Sequence, residues 1–186
     1  DVNSVAISPD GTTIVSGSSR QIKAWNLSDG TLLRTLSFVL MGDVNSVAIS
    51  PDGTTIVSGS GGQIKVWNLS DGTLLRGITG HTATVNSVVI SSDGSTIVSG
   101  SDDYAINTIK VWNLSDGKLL RTIDGNTGWV SSVAISPDGN TIVSGSVNGM
   151  IAWNVNQTVA STAIASEPKS VPTKAVVLQS VPNPFN

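Results

Sequence analysis

The sequence predicts an all-β protein built from one four-stranded antiparallel unit repeated four times. Three observations carry this. The stretches "DVNSVAISPDGTTIVSGSSRQIKAWNLSDGTLLRTL" from Asp1 and "DVNSVAISPDGTTIVSGSGGQIKVWNLSDGTLLRGI" from Asp43 are nearly identical, and further copies begin at Thr84 and Trp129. The equivalent Trp recurs at 25, 67, 112 and 153, at spacings of 42, 45 and 41 residues. Short Val/Ile-rich runs alternate with Asp-Gly turns, and no segment of the repeats holds a 3.6-residue apolar period over the ~11 residues that mark a helix. A period in this range with one Trp per unit points to the blade of a β-propeller.

Within a unit each element has its own reason. "VNSVAIS" is short and β-branched, and "SPDG" or "SSDG" ends it with Asp-Gly turn chemistry. "TIVSGS" is the second strand, "IKVWNLS" the third, and after another Asp-Gly turn "TLLRTI" is the fourth. A sheet this small cannot bury both faces alone, so it must stack on its neighbours. The blades are expected at about 1–42, 43–83, 84–128 and 129–165, followed by a Pro/Ser-rich linker over 166–186 with one strand expected at "KAVVLQS".

Comparing the copies shows where they differ. The turns after the first and third strands barely change through the first three units. The links after the second strand read "SRQ", "GGQ", "DDYAINT" and "VNG", and those after the fourth read "SFVLMGD", "TGHTAT" and "DGNTGW". In an up-and-down blade both kinds of variable link lie at one end. Loops held on a rigid scaffold carry binding residues, which makes Phe38, Val39, Leu40, Met41, His81, Tyr104 and Trp129 the candidate contacts with a protein partner. Plainer roles compete: loop packing or drift for "FVLM", a cap on the blade interface for Trp129, a turn or network residue for His81. The four strand tryptophans read as core.

Composition removes several classes of function. Of 186 residues, 39% are hydrophobic and 12% charged, the balance of a folded chain rather than a disordered one. A net charge of −3 without a basic run offers nothing to nucleic acid or to anionic membranes. The absence of Cys excludes disulfides, thiol catalysis and thiolate metal sites. No apolar run nears the ~20 residues of a membrane-spanning helix. Asp102 and Asp103 are adjacent turn acids without further ligands, so neither metal nor cofactor is expected. His81 is the only histidine, Glu167 the only glutamate, and most aspartates sit in Asp-Gly turns. No enzyme and no catalytic residue is expected. The "NLS" triplets at Asn26, Asn68 and Asn113 match the N-glycosylation acceptor pattern but already serve as turns.

The combined pattern of "SVAISPDG", "IVSGS" and "IKVWN" at one period resembles the WD-repeat β-propeller family, in all four copies and over residues 1 to about 165. Where that family usually has Asp after the tryptophan, this chain has Asn26, Asn68, Asn113 and Asn154. The resemblance implies a structural hydrogen-bond network that only the third unit can supply, from His81, Ser99, Asp103 and Trp112. The link between Ser99 and Trp112 is four residues longer than in the sister units. It also implies a non-catalytic protein-interaction scaffold. The alternatives are a self-assembling structural module without an external ligand, or a propeller that binds a small molecule or glycan.

Such blades usually build wider rings than four. A head-to-tail homodimer closing one eight-bladed ring is therefore expected, against a closed four-bladed monomer or a fragment of a longer propeller. At the end of the chain "LQSVPNPFN" resembles the opening of type IX secretion sorting domains. That implies a bacterial protein, secreted or displayed at the cell surface; otherwise the expectation is cytoplasmic.

Overall fold

The computed structural model describes residues 1–36, 42–103, 107–126, 128–155 and 160–164, with the backbone alone at 107, 125–126 and 160–164. The stretch from Phe38 to Met41, Tyr104 and the segment over 166–186 lie outside the described residues.

The described residues form sixteen strands and no helix. Blade 1 holds β1 (Val2–Ile7), β2 (Thr13–Ser18), β3 (Gln21–Asn26) and β4 (Leu32–Leu36). Blade 2 holds β5 (Val44–Ile49), β6 (Thr55–Ser60), β7 (Gln63–Asn68) and β8 (Leu74–Thr79). Blade 3 holds β9 (Val85–Ile90), β10 (Thr96–Ser101), β11 (Asn107–Asn113) and β12 (Leu119–Asn126). Blade 4 holds β13 (Val130–Ile135), β14 (Thr141–Ser146), β15 (Gly149–Asn154) and β16 (Ala160–Ile164). Every blade is a separate antiparallel sheet with its strands side by side in chain order, the up-and-down arrangement read from the sequence.

The first hairpin of each blade is set by its Asp-Gly turn. In blade 2 the Asp52 carboxylate accepts from the Ser50 hydroxyl and the Thr54 amide, while Gly53 takes the left-handed φ of 71° that a side chain would resist. In the inner strands a bulge then orients the core side chains. The pairing of β5 with β6 shifts between Val44 and Ser46, so Val44 and Val47 point to one face although they are three residues apart. The same shift recurs in β1, β9 and β13.

Stacking buries one face of each blade against the next. Val15, Ile22, Ala24 and Leu36 of blade 1 meet Val44, Val47, Ile56 and Trp67 of blade 2 in one apolar cluster. Val57, Ile64, Val66 and Ile78 meet Val85, Val88, Ile97 and Trp112 at the second junction, and Val98, Ile109, Val111 and Ile123 meet Val130, Val133, Ile142 and Trp153 at the third. Fully burying one such side chain contributes about 1.5–3 kcal/mol, so the junctions, rather than the surface turns, hold the stack together.

Polar bonds fix the pitch. The Asn3, Asn45 and Asn86 amides donate across to the Val44, Val85 and Val130 carbonyls, and the Ser4, Ser46 and Ser87 hydroxyls accept from the Val47, Val88 and Val133 amides. Close approach requires glycine in the second strand. A Cβ at Gly17, Gly59 or Gly100 would lie 2.5–2.7 Å from a valine methyl of the next blade. No fourth junction joins blade 4 to blade 1 among the described residues.

Candidate interaction site and the network beneath it

The variable links gather at one end of the stack. The link after β6 touches the link between β8 and β9: the Val85 amide donates to the Gly61 carbonyl at 2.7 Å, and a Cβ on Gly62 would lie 2.9 Å from the His81 carbonyl oxygen. In blade 4 the link before β13 meets the link after β14, because a Cβ on Gly128 would lie 2.6 Å from Val147 Cγ2. Trp129 and Val147 are 64% and 75% exposed beside this contact, placing two large apolar side chains in water at the same end.

In blade 3 the end is tied down from beneath. The Trp112 indole N–H donates to Ser99 Oγ at 2.8 Å, Ser99 Oγ is 2.7 Å from His81 Nε2, and His81 Nδ1 is 2.8 Å from Asp103 Oδ2. With Trp112 donating to it, the serine hydroxyl donates to His81 Nε2, and Nδ1–H of a neutral imidazole donates to the carboxylate. The Asp103 Oδ1 atom accepts the Thr82 hydroxyl at 3.0 Å, the Ala83 amide at 3.1 Å and the Ser101 hydroxyl at 3.2 Å, and it also accepts the Thr82 amide. One carboxylate thus ties the loop at 81–83 to the loop after β10.

The longer link of this unit does not break the chain of bonds. It returns Thr108 to donate its hydroxyl to Asp103 Oδ2. Sequence reading missed Thr108, and a Thr at the start of the third strand of the one unit that has a His and an Asp was the available signal. Gly80, at φ 147°, completes the fit, since a Cβ there would sit 2.9 Å from the Trp112 ring. His81 then lies edge-on to that ring, with centroids 5.8 Å apart.

Electrostatics follow from this packing. Burial lowers the His81 pKa and outweighs the Asp103 hydrogen bond and charge, which act to raise it, so the ring is neutral and the short contact is a hydrogen bond rather than an ion pair. Burial alone raises Asp103, but bonds from Thr108, His81 and the Thr82 amide overcome it and hold the carboxyl far below its ordinary range. The order Asp103–His81–Ser99 imitates a hydrolase triad, yet Ser99 is 0% exposed and already receives the Trp112 bond, so the geometry is that of a clamp.

The sister blades keep half of it. Trp25, Trp67 and Trp153 each donate to the second-strand serine at 2.9 Å, to Ser16, Ser58 and Ser144. The "NLS" asparagines at 26, 68 and 113 are turn formers whose Oδ1 accepts the amide and hydroxyl of the serine two residues on.

Of the contact candidates, Trp129 stands exposed at the loop end, while His81 is buried with both ring nitrogens bonded inside blade 3. Phe38, Val39, Leu40, Met41 and Tyr104 lie outside the described residues. Among the described residues no group of His, Asp or Glu is arranged to hold a metal ion.

Four stacked antiparallel blades, each with a Trp–Ser bond and variable links at a common end, define a β-propeller protein. The sequence model of the family described as WD domain, G-beta repeat matches residues 1–26, 30–68, 72–113 and 117–153, most of the chain, and the chain belongs to that family. Each of the last three matches joins the outer strand of one blade to the three inner strands of the next. Members of the family are typically non-catalytic and serve in general as interaction scaffolds. No curated protein matches the chain.

Proposed function

We propose that this protein is a non-catalytic scaffold that binds a protein partner through its loop end. One observation carries the reading: two large apolar side chains, Trp129 and Val147, are exposed where the link before β13 meets the link after β14. Isolated apolar side chains on a surface need no explanation, but an aromatic beside an aliphatic on a rigid loop platform is the composition of an interface centre. The clamp in blade 3 supports this by fixing two links of the same end, which lowers the ordering cost of a contact there. Sequence variation supports it too, since "FVLM" and Tyr104 fall in the links that differ from copy to copy.

The test is selection of a phage-displayed peptide library on the protein, followed by binding of the enriched peptides to Trp129→Ser and Val147→Ser. Loss of binding by about tenfold or more with the circular dichroism spectrum unchanged is expected. Enriched peptides that bind both variants as well as the parent protein would overturn the reading.

A further inference from the structure

The two ends of the stack are matching halves of the junction that the chain forms three times internally. On blade 1 the uncovered face carries Val2, Val5 and Ile7, which are 62%, 63% and 59% exposed. Their counterparts Val44 and Val47 in blade 2 are 0% and 6% exposed, and Val85 and Val88 in blade 3 are 0% and 5%. Val2 and Val5, with Ile14 and Trp25, line an open, apolar depression.

On blade 4 the uncovered face is the complementary one. Met150 is 47% exposed, whereas Ile22, Ile64 and Ile109 at the equivalent positions are fully buried by the following blade. Gly145 occupies the place of Gly17, Gly59 and Gly100. Those three receive a valine methyl of the next blade, but a Cβ at Gly145 would meet only Ser132 of its own blade, at 3.8 Å. A slot shaped for an incoming valine is therefore uncovered on blade 4, while the valine that fits it projects from blade 1.

We propose that a second copy of this chain supplies the missing half, Val2 of each copy entering the slot over Gly145 of the other. The surface that fits blade 4 is the leading face of a blade of this same sequence, as the three internal junctions demonstrate, and a second copy presents it uncovered. Two such contacts about a two-fold axis close one eight-bladed ring. Ser132 keeps the hydroxyl that accepts the next blade's valine amide, here Val5 N–H. Ser131 replaces the asparagine, so the junction between copies holds one of the two inner-strand polar bonds. The faces involved are sheet faces, distinct from the loop end, so assembly and loop-end binding are separable.

Sedimentation equilibrium of the full chain over ~1–100 µM tests this, with Gly145→Val and Val5→Asp alongside. Gly145→Val fills the slot, its Cβ meeting only Ser132 within blade 4 and at ordinary van der Waals distance, and Val5→Asp charges a face that is already in water within one chain. The expected masses are twice 19.1 kDa for the parent and 19.1 kDa for each variant, with β-sheet spectra and cooperative unfolding retained. A parent that stays at 19.1 kDa throughout, whether open or closed on itself, overturns the proposal. So does a species larger than the dimer, or a dimer that both variants leave intact.

Discussion

At the scale of single residues, Asp103 determines how one blade differs from its sisters. It is a buried carboxylate with every oxygen occupied by donors from three segments, and such a group stays ionised because the donors replace its water. His81 beside it is held neutral by burial, and this gives a definite pH dependence. The folded His81 titrates below its ordinary 6.5, so the unfolded chain binds the extra proton first as pH falls. The His81 contribution to stability is complete above pH 6.5 and declines as pH drops below it toward the folded pKa. The loss linked to Asp103 begins only near its ordinary 3.8. His81 is the sole histidine, so the fall in urea midpoint between pH 7 and pH 5 belongs to it. In His81→Gln that slope should disappear; an unchanged slope would mean that the ring is not neutral and buried as described.

At the scale of the element, the junction glycines decide whether two blades meet. A Cβ at Gly59 would stand 2.7 Å from Val85 Cγ1 and 3.2 Å from Val88 Cγ1, both on stiff β-branched side chains. Gly59→Ala should destabilise by about 1–3 kcal/mol through overpacking. Gly77→Ala, where a Cβ meets nothing within 4 Å, should be neutral or stabilise by up to about 1 kcal/mol through the unfolded chain. Urea unfolding of the pair checks the contrast, and equal effects would contradict the close packing. Most strands were legible: Asp-Gly turns, β-branched runs and the Trp period place them within a residue or two, because each rests on local chemistry, although β12 runs three residues further, to Asn126. Burial was not legible. "DVNSVAI" stands at residues 1–7 and again at 43–49, yet Val2 is 62% exposed and Val44 0%. The same letters differ only in whether a described blade packs against them, and that is a property of the stack. The clamp was half legible: its four residues could be named from a resemblance, but Thr108 and the anchoring of Thr82 and Ala83 arise from how two loops meet in space.

At the scale of the whole molecule, the described blades form three buried junctions and leave two uncovered faces that match one another. An open stack of near-identical blades is self-complementary by construction, since its first face repeats what its last face already accepts. In the proposed assembly the exposed valines of blade 1 form one half of an interface, and the slot over Gly145 forms the other.

The most direct measurement uses the absence of cysteine from the chain. At the three internal junctions the glycine Cβ position lies 3.2–3.3 Å from the paired valine Cβ, a few tenths of an ångström short of the ~3.5–4.5 Å span of a disulfide, so a small outward shift admits the bond. A chain carrying both Val2→Cys and Gly145→Cys is oxidised under mild conditions and run on non-reducing gels, with the two single variants as controls. The expected product is a covalent dimer at twice 19.1 kDa from the double variant, reversed by reductant and not formed by either single variant through this pairing. A double variant that remains a single chain, with its thiols free or joined to each other, would contradict it.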